Sequence, residues 1–319
     1  MVAMGVRKGL APWVAFLNLG FGSLKWGLKN PTQKEEERMK ALRWMVVSVA
    51  LLVGLSGCAC FQEGAGTSGA PAAYTCPTAP VIKSIMSKGE VVVGMAGDMP
   101  PLNMRTKDGR LVGYEVDLAQ AIAKYMGVKL RPVTMPFNDL LPALYGRKVD
   151  MVISGMTMSP ERNLKVAFVG PYYASGKSIL AKTATLAQVD EVSKIKAANV
   201  KITALRGSTS EVFVQQAFPN VQYVPAATYD EGVKMVLDDR AHAMVADHPL
   251  VITSALRYPE LAAIVTPFTY EPIGVAVACN NPLLVNWLEN LMKHLEAMGE
   301  MKRMKARWFE SGSWINDLP

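Results

Sequence analysis

The stretch of sequence that decides the fold is VDMVISGMTMSPER, at residues 149–162. Its first five residues are apolar apart from Asp150, which is typical of a short strand. A loop with serine, glycine and threonine follows, and Ser159 then precedes Pro160. Serine at the N-cap with proline in the first helical turn predicts the start of a helix. The stretch therefore predicts strand, polar loop and helix, the repeating unit of layered α/β folds.

The same alternation continues on both sides of this stretch. Apolar runs predict strands at residues 91–95, 130–135, 149–153, 200–205, 221–224, 242–246 and 273–278. Amphipathic periodicity predicts helices at residues 114–126, 138–145, 209–217, 229–237, 249–256, 283–297 and 300–309. This pattern favours mostly parallel sheets with helices on both faces, and two such sets predict two α/β lobes.

The positive charge is concentrated at the N-terminus. The chain has 319 residues and a net charge of +7, and residues 1–57 hold eight Lys and Arg against three Glu. Residues 58–319 therefore carry only +2. A body so close to neutral gives no electrostatic reason to expect a nucleic-acid partner.

Residues 44–55, WMVVSVALLVGL, follow Lys40 and Arg43 and contain no charge. Twelve apolar residues are too few to span a bilayer but suit a secretory signal. The sequence LSGC that ends at Cys58 resembles the lipobox of bacterial lipoproteins. That resemblance implies that Cys58 is the lipid-modified N-terminus of an exported protein, membrane-anchored in the periplasm or at the cell surface. The alternative is an ordinary buried cysteine behind a soluble secretion signal.

The N-terminal part divides into three segments. A signal peptide begins close to its basic residues, so we expect Met39 to be the true start and residues 1–38 to be a mis-called extension; a genuine long leader is the alternative. Residues 39–57 are then the signal peptide, and residues 58–79, rich in small residues, a flexible tether. Export permits disulfides, and Cys76 with Cys279 is the pair away from the anchor, although sequence alone leaves that bridge open.

Polar residues follow several of the predicted strands, where ligands bind in open α/β folds. Arg162 falls in the first turn of a helix, where a basic residue opposes the helix dipole unless it meets an anion. Its planar guanidinium suits a carboxylate, and the hydroxyls of Ser154 and Thr157 are near in sequence. Asp98, behind the first strand, either accepts from a cationic ligand group or caps a turn.

Two further strand ends carry polar residues, one with neutral hydroxyl groups and one with a negative charge opposite to that of Arg162. Ser208 and Thr209 open a helix, where free N–H groups form either a plain cap or an anion site. Asp247 follows a strand and is either an N-cap or a binding group. Taken with Arg162 across a cleft, Asp247 completes a receptor for a zwitterion, with one fixed cation and one fixed anion.

Three stretches are similar to the bacterial extracellular solute-binding proteins of family 3, which bind polar amino acids. They are GYEVDLA at residues 113–119, VDMVISGMT with the following Glu161-Arg162, and FVGPYY at residues 168–173. The resemblance covers about residues 85–312. It implies a two-lobed fold in which the chain crosses twice between lobes that close on ligand. Lobe 1 would comprise residues 80–178 and 271–319 and lobe 2 residues 179–270, with hinges near residues 178–181 and 270–273.

The resemblance also assigns roles to residues. Arg162 would bind the ligand carboxylate, and Asp247 its ammonium group. Hydroxyl and backbone donors would come from both lobes, and Phe137 would contact the ligand side chain. Met99 replaces the second aromatic residue that the family often uses. The full expected ligand-binding set is Asp98, Met99, Phe137, Ser154, Gly155, Met156, Thr157, Arg162, Ser208, Thr209 and Asp247.

The function implied is that of a monomeric, extracytoplasmic amino-acid-binding protein that delivers its ligand to the membrane subunits of an ABC permease. No cofactor or metal is expected, because the histidines and cysteines lack ligand spacing. The rival hypothesis is an enzyme resembling the periplasmic dehydratases of cyclohexadienyl acids such as arogenate, with His248 near the cleft for acid–base chemistry. The identity of the amino acid stays open.

Overall fold

The structure is a computed structural model, and it describes residues 79–186, 199–264 and 266–319. The predicted signal peptide, Cys58 and Cys76 lie outside these described residues. The strands are β1 Glu90–Met95, β2 Asp98–Met99, β3 Asn103–Arg105, β4 Leu111–Val112, β5 Lys129–Thr134, β6 Met151–Val152, β7 Val166–Ser175, β8 Lys177–Lys182, β9 Lys201–Leu205, β10 Gln222–Ala226, β11 Ala243–Asp247, β12 Leu261–Ala263 and β13 Glu271–Ala278. The α-helices are α1 Pro80–Lys88, α2 Tyr114–Met126, α3 Leu140–Tyr145, α4 Pro160–Asn163, α5 Thr183–Leu186, α6 Thr209–Ala217, α7 Tyr229–Leu237, α8 His248–Arg257, α9 Pro282–Ala297 and α10 Glu300–Lys305.

The first lobe is built on a five-stranded sheet with the order β5-β1-β6-β13-β7. Strand β1 is parallel to β5 and to β6, whereas β13 is antiparallel to β6 and to β7. Glu271 at the start of β13 pairs with Ser175 at the end of β7. The chain thus re-enters this sheet at the end where it leaves, which makes β13 antiparallel and corrects the expectation of a mostly parallel sheet.

The second lobe has the strand order β10-β9-β11-β8-β12. Strand β9 is parallel to β10 and β11, and β8 is antiparallel to β11 and β12. In the pairing of β11 with β8, Asp247 lies opposite Lys177. This register brings the carboxyl end of β11 to the point where the chain enters the second lobe.

The local sequence explains where these elements begin and end. Strand β1 buries every residue from Val91 to Met95, and α2 turns Leu118 and Ile122 into the same core. Helix α2 ends at Met126 and is capped by Gly127, whose φ of +69° suits the left-handed position after a helix. Apolar periodicity therefore identified this core correctly.

Several predicted boundaries differ from the structure. The strand expected at residues 149–153 is only Met151–Val152, and His242, expected within a strand, lies before β11. The Nδ1 atom of His242 accepts from the backbone N–H of Lys201 at 2.9 Å, so the residue closes the strand end. A small antiparallel sheet of β2, β3 and β4 was not predicted, since strands of two or three residues have no readable period. Among the described residues, no helix is long and apolar enough to cross a membrane.

Candidate functional site

Arg162 lies where the two lobes meet. The Ser159 side chain caps α4 and accepts from the Arg162 backbone N–H at 3.3 Å, so the local sequence fixes the start of the helix. The Arg162 guanidinium donates from Nη1 to the Thr157 carbonyl at 3.1 Å and from Nη2 to the Gly207 carbonyl of the second lobe at 3.2 Å. It lies 5.7 Å from the centre of the Phe137 ring. Burial lowers the pKa of Arg162, because desolvation disfavours the charged form.

A line of hydroxyl groups continues from this arginine across the cleft. The Oγ1 atoms of Thr157 and Thr209, one from each lobe, are 3.3 Å apart. The Thr209 hydroxyl donates to Oε2 of Glu271 at 3.2 Å. Asp247 and Glu271 both act on the Arg162 guanidinium, and their negative charges oppose the effect of burial on its pKa. The structure therefore places Arg162 and Asp247 at one cleft.

Asp247 is paired with a lysine that sequence reasoning did not consider. The Nζ of Lys177 lies 2.8 Å from Oδ1 of Asp247 and 3.6 Å from Oε2 of Glu271. The lysine side chain is 1% exposed and the Asp247 side chain 5%. Two carboxylates thus share one buried ammonium group, and the three side chains together carry a net charge of −1. We call Lys177, Asp247 and Glu271 the buried triad.

A cavity of about 270 Å³ opens between the lobes beside Phe137. Asp98 lines it from the first lobe and Asp230 from the second. Oδ2 of Asp98 accepts from the backbone N–H of Tyr229 at 2.8 Å, at the start of α7. Burial raises the pKa of Asp98 to about 6, and the negative charge of Asp230 adds to the rise. The cavity therefore holds a desolvated acid opposite an exposed one.

Two expected donors of the first lobe are occupied within the protein. The Gly155 N–H donates to Oε1 of the buried Glu115 at 2.6 Å, and the Ser154 hydroxyl accepts from the Ala96 N–H at 2.8 Å and lies 3.6 Å from the Met99 sulfur. Ser154 is fully buried. Both residues hold the loop in place in this structure, and their direct contact with a ligand stays a prediction.

Three other expected contact residues face the interior. The Ser208 hydroxyl accepts from the Glu211 N–H at 3.2 Å and donates to the Leu205 carbonyl at 2.6 Å, so it is a helix cap, the alternative left open above. Met99 and Met156 are each 1% exposed and pack in the core. Met99 is not part of the cavity lining, and its sulfur lies against the Ser154 hydroxyl instead.

Comparison with known proteins identifies the class of protein to which this cleft belongs. Residues 91–311 match the model of a family described as bacterial extracellular solute-binding proteins, family 3. The chain belongs to this family. The family 3 assignment and the two sheets joined by two crossings agree with each other, and the predicted two-lobed fold is confirmed by solved structures of the same architecture.

Named relatives of this family 3 protein bind amino acids. The L-cystine-binding protein TcyJ of Escherichia coli (strain K12) is 26% identical over 268 residues, which cover 83% of this chain and 93% of TcyJ. A putative binding component of an ABC transporter from Wolinella succinogenes, solved in complex with lysine, is 32% identical with a TM-score of 0.69 and covers 72% of this chain and 99% of that one.

A third relative bears on the enzyme hypothesis. The ancestral amino acid-binding protein AncCDT-1 is described as a precursor of cyclohexadienyl dehydratase. It is 32% identical with a TM-score of 0.67, and the match covers 72% of this chain and 99% of that chain. The interpretation as a solute-binding protein of amino-acid transport, rather than an enzyme, is confirmed by the family and by the named transport proteins.

The described part of this family 3 chain shows no group of three or more His, Cys, Asp or Glu arranged to hold a metal ion. Cys279 is exposed, and Cys76 lies outside the described residues, so their bridge stays a prediction. His248 lines a separate cavity with aromatic residues of the C-terminal segment, such as Trp308 and Trp314. It is absent from the lining of the cavity that Asp98 borders.

Sequence reasoning missed Lys177, Glu271, Glu115 and Tyr229. Lys177 and Glu271 begin the strands that follow the two crossings, so their place after each crossing was the available signal. Glu115 stands in the first turn of α2, where an acid reads as ordinary helix-dipole compensation. Its burial is visible only in three dimensions, where it accepts from Asn103, Gly155 and Tyr172.

Proposed function

We propose that this protein binds the zwitterionic head of a free amino acid in the cleft between its lobes and delivers it to an ABC permease. The observation that carries the proposal is Arg162, whose guanidinium donates only to backbone carbonyls, Thr157 O and Gly207 O, among the described residues. A half-buried guanidinium without an acidic partner favours an incoming carboxylate, to which it can donate through its remaining N–H groups.

The ammonium end of the ligand would bind at the buried triad. Lys177 offsets one of the two carboxylates, so the net charge of −1 still favours a cation there. The second oxygen of Asp247 is the proposed acceptor. This assignment keeps Asp247 from the sequence analysis and adds Glu271 as a second source of negative charge.

Closure of the lobes follows from the contacts that cross the cleft. Arg162 with Gly207, Thr157 with Thr209 and Asp98 with Tyr229 each join one lobe to the other. A ligand that touches both sides adds to these contacts and shifts the equilibrium toward the closed form. The lobe boundaries complete the proposal, with the first crossing at Gly176 rather than at residues 178–181, because β7 of the first sheet ends at Ser175 and β8 of the second begins at Lys177. The return crossing lies just before Glu271, where β13 begins.

Export and anchoring extend the proposal to residues outside the described part. An extracytoplasmic receptor must stay near its permease, and acylation of Cys58 would hold it at the membrane. The tether at residues 58–79 would let a monomeric body reach the permease. Mass spectrometry of the membrane fraction, seeking an acylated Cys58 as the mature N-terminus, tests this part separately.

The test of function is a thermal-shift screen of the full chain against the twenty amino acids and cystine, followed by calorimetry on every hit. A ligand that binds only the native state raises the melting temperature by mass action. We expect saturable binding of at least one amino acid. No shift with any of them, and no heat of binding, would refute the proposal.

The same purified protein separates a receptor from an enzyme. Incubation with prephenate and with arogenate, followed by detection of the aromatic products, measures dehydratase activity. A receptor gives no turnover above the buffer control and still binds its amino acid. Turnover of either acid would restore the enzyme as the function.

A further inference from the structure

We propose that the side chain of the bound amino acid carries a positive charge and ends beside Asp98 in the cavity that Phe137 borders. This inference rests on the proposed function, since it takes the head of the ligand to lie at Arg162 and the buried triad. It adds the chemical class of the ligand and the residue that selects it.

The position of the cavity gives the path of the side chain. Phe137 forms one wall of the cavity and also stacks against the Arg162 guanidinium, so the head site and the cavity share this ring. A ligand whose carboxylate lies at Arg162 therefore extends its side chain along Phe137. The cavity of about 270 Å³ is smaller than the sites that enclose drug-sized ligands, and it suits one long side chain.

The chemistry of the cavity selects among long side chains. Apart from its two acids, its lining is apolar or carries a hydroxyl group, as in Met135, Leu205 and Thr228. No lysine or arginine of the described residues is part of that lining. Arg105 donates to the neighbouring Thr134 but is itself exposed. Asp98 and Asp230 are therefore the charged groups of the described cavity wall, and both are negative.

Closure of the lobes adds a cost that only a cation offsets. One oxygen of Asp98 is taken by the Tyr229 N–H, and burial raises the pKa of this carboxyl to about 6. At neutral pH the lobes thus close over an ionised and desolvated carboxylate, which is unfavourable. An ammonium or guanidinium group bound to its free oxygen offsets that cost, whereas a neutral side chain leaves it in place.

The structure of the Wolinella succinogenes relative with lysine agrees with this class. The cystine-binding relative names the competing class, because cystine has no net charge on its side chain. The experiment must therefore separate charge from length and shape.

Calorimetry with arginine and citrulline makes that separation, because citrulline replaces the guanidinium with a neutral urea of nearly the same shape. For the full chain at neutral pH we expect arginine or lysine to bind about 10- to 100-fold more tightly than citrulline, glutamine or cystine, as for a charged hydrogen bond. In Asp98→Asn, which keeps an oxygen for Tyr229 N–H, the preference should fall to about threefold or less.

Asp238→Asn is the matched control, because Asp238 is an exposed acid of the second lobe, outside the cavity lining. It should leave the ratio of arginine to citrulline unchanged. Equal affinity of the natural chain for citrulline and arginine would overturn the cationic ligand while leaving amino-acid binding intact. A ratio that survives in Asp98→Asn would overturn the role of Asp98. Absence of binding to every amino acid would instead remove the proposed function itself.

Discussion

Arg162 and Asp247 were expected to be equivalent halves of one site, but the structure surrounds them differently. Asp247 is buried against Lys177, which it shares with Glu271. Arg162 has no carboxylate within salt-bridge distance among the described residues and donates to two carbonyls. Asp247 thus has a cationic partner inside the protein, although the buried triad keeps a net charge of −1. Arg162 has no ionic partner among the described residues.

The difference shows that stability and binding are served by different charges of one cleft. Removing Lys177 from the buried triad leaves two carboxylates desolvated and unpaired, which destabilises the fold. Removing Arg162, which has no ionic partner among the described residues, should change the free energy of unfolding little and the affinity for the ligand strongly. The following predictions use this contrast, from the largest expected effect to the smallest.

Replacement of Lys177 by methionine tests the contribution of the buried triad to stability. The Asp247 and Glu271 carboxylates would remain buried without their cation, so we expect a loss of about 3–5 kcal/mol in the free energy of unfolding. Urea denaturation measures it. Lys182→Met is the control, because Lys182 pairs with the largely exposed Asp239, and it should lose less than about 1 kcal/mol. Equal losses in both variants would show that the buried triad is not special.

Arg162→Ala tests the contribution of the unpaired guanidinium to ligand binding. We expect ligand affinity to fall by about 2–5 kcal/mol, because the carboxylate of the ligand would be left in the cleft without its cation. The melting temperature should change little. Calorimetry and a thermal melt on the same sample measure the two effects, with the exposed Arg240→Ala as control. A large fall in melting temperature with unchanged affinity would reverse the assignment.

Gly155→Ala tests the scaffold that holds the Arg162 side of the cleft. Gly155 has a φ of +56°, and an added Cβ would lie 2.2 Å from Cε of Met99. We expect a loss of about 1–3 kcal/mol in the free energy of unfolding from backbone strain and this overlap. Gly109→Ala separates the two causes, because Gly109 has a φ of +83° but no heavy atom within 4 Å of the added carbon. A loss no greater than that of Gly109→Ala would show that Met99 moves aside freely.

The pH dependence of stability in Asp98→Asn tests the buried carboxyl of the cavity, which also has no salt bridge among the described residues. The native carboxyl binds its proton more tightly than the unfolded one, because its pKa is raised from 3.8 to about 6. Its contribution to stability therefore falls as the pH rises through that window and stays lost above it. Two pKa units give at most about 3 kcal/mol, and partial exposure reduces this to about 1 kcal/mol.

Thermal melts at about pH 4 and pH 7 measure this effect. The variant should gain stability relative to the natural chain on going to the higher pH. Asp108→Asn is the control, because hydrogen bonds from Thr106 and Arg110 lower the pKa of Asp108 from 3.8 to about 2. Its contribution to stability is lost only below about pH 4, so its curve should run nearly parallel to that of the natural chain between the two pH values. Curves for Asp98→Asn and the natural chain that run parallel would contradict the raised pKa.

Much of the fold was readable from the sequence because its core elements carry a clear apolar period. Helices α6 and α7 have the predicted bounds, and β1 and β9 differ from theirs by one residue. Strands β7 and β8 were not identified, since Gly170-Pro171 and Ser175-Gly176 interrupt their apolar pattern. The direction of β13 depends on how the chain returns from the other lobe, which no local period records.

The site was predictable where a residue type is unusual for its position, as with Arg162 in the first turn of a helix. It was not predictable where a charged side chain is buried by distant parts of the chain. Lys177 resembles a solvent-exposed lysine in sequence, and only the pairing of β8 with β11 shows that it faces Asp247. Local sequence also gave no sign that the Gly155 N–H, expected to bind the ligand, donates to the buried Glu115 in this structure.

The two crossing segments also touch each other directly, and this bears on how the molecule unfolds. A carbon added at Gly176 would lie 2.2 Å from the Thr269 carbonyl oxygen, and Lys177 and Glu271 join the segments again one step later. The two crossing segments therefore form one packed unit rather than two independent connections. Unfolding of either lobe alone would expose the buried ion pairs of Lys177 to water. Heating should therefore give one calorimetric peak for both lobes.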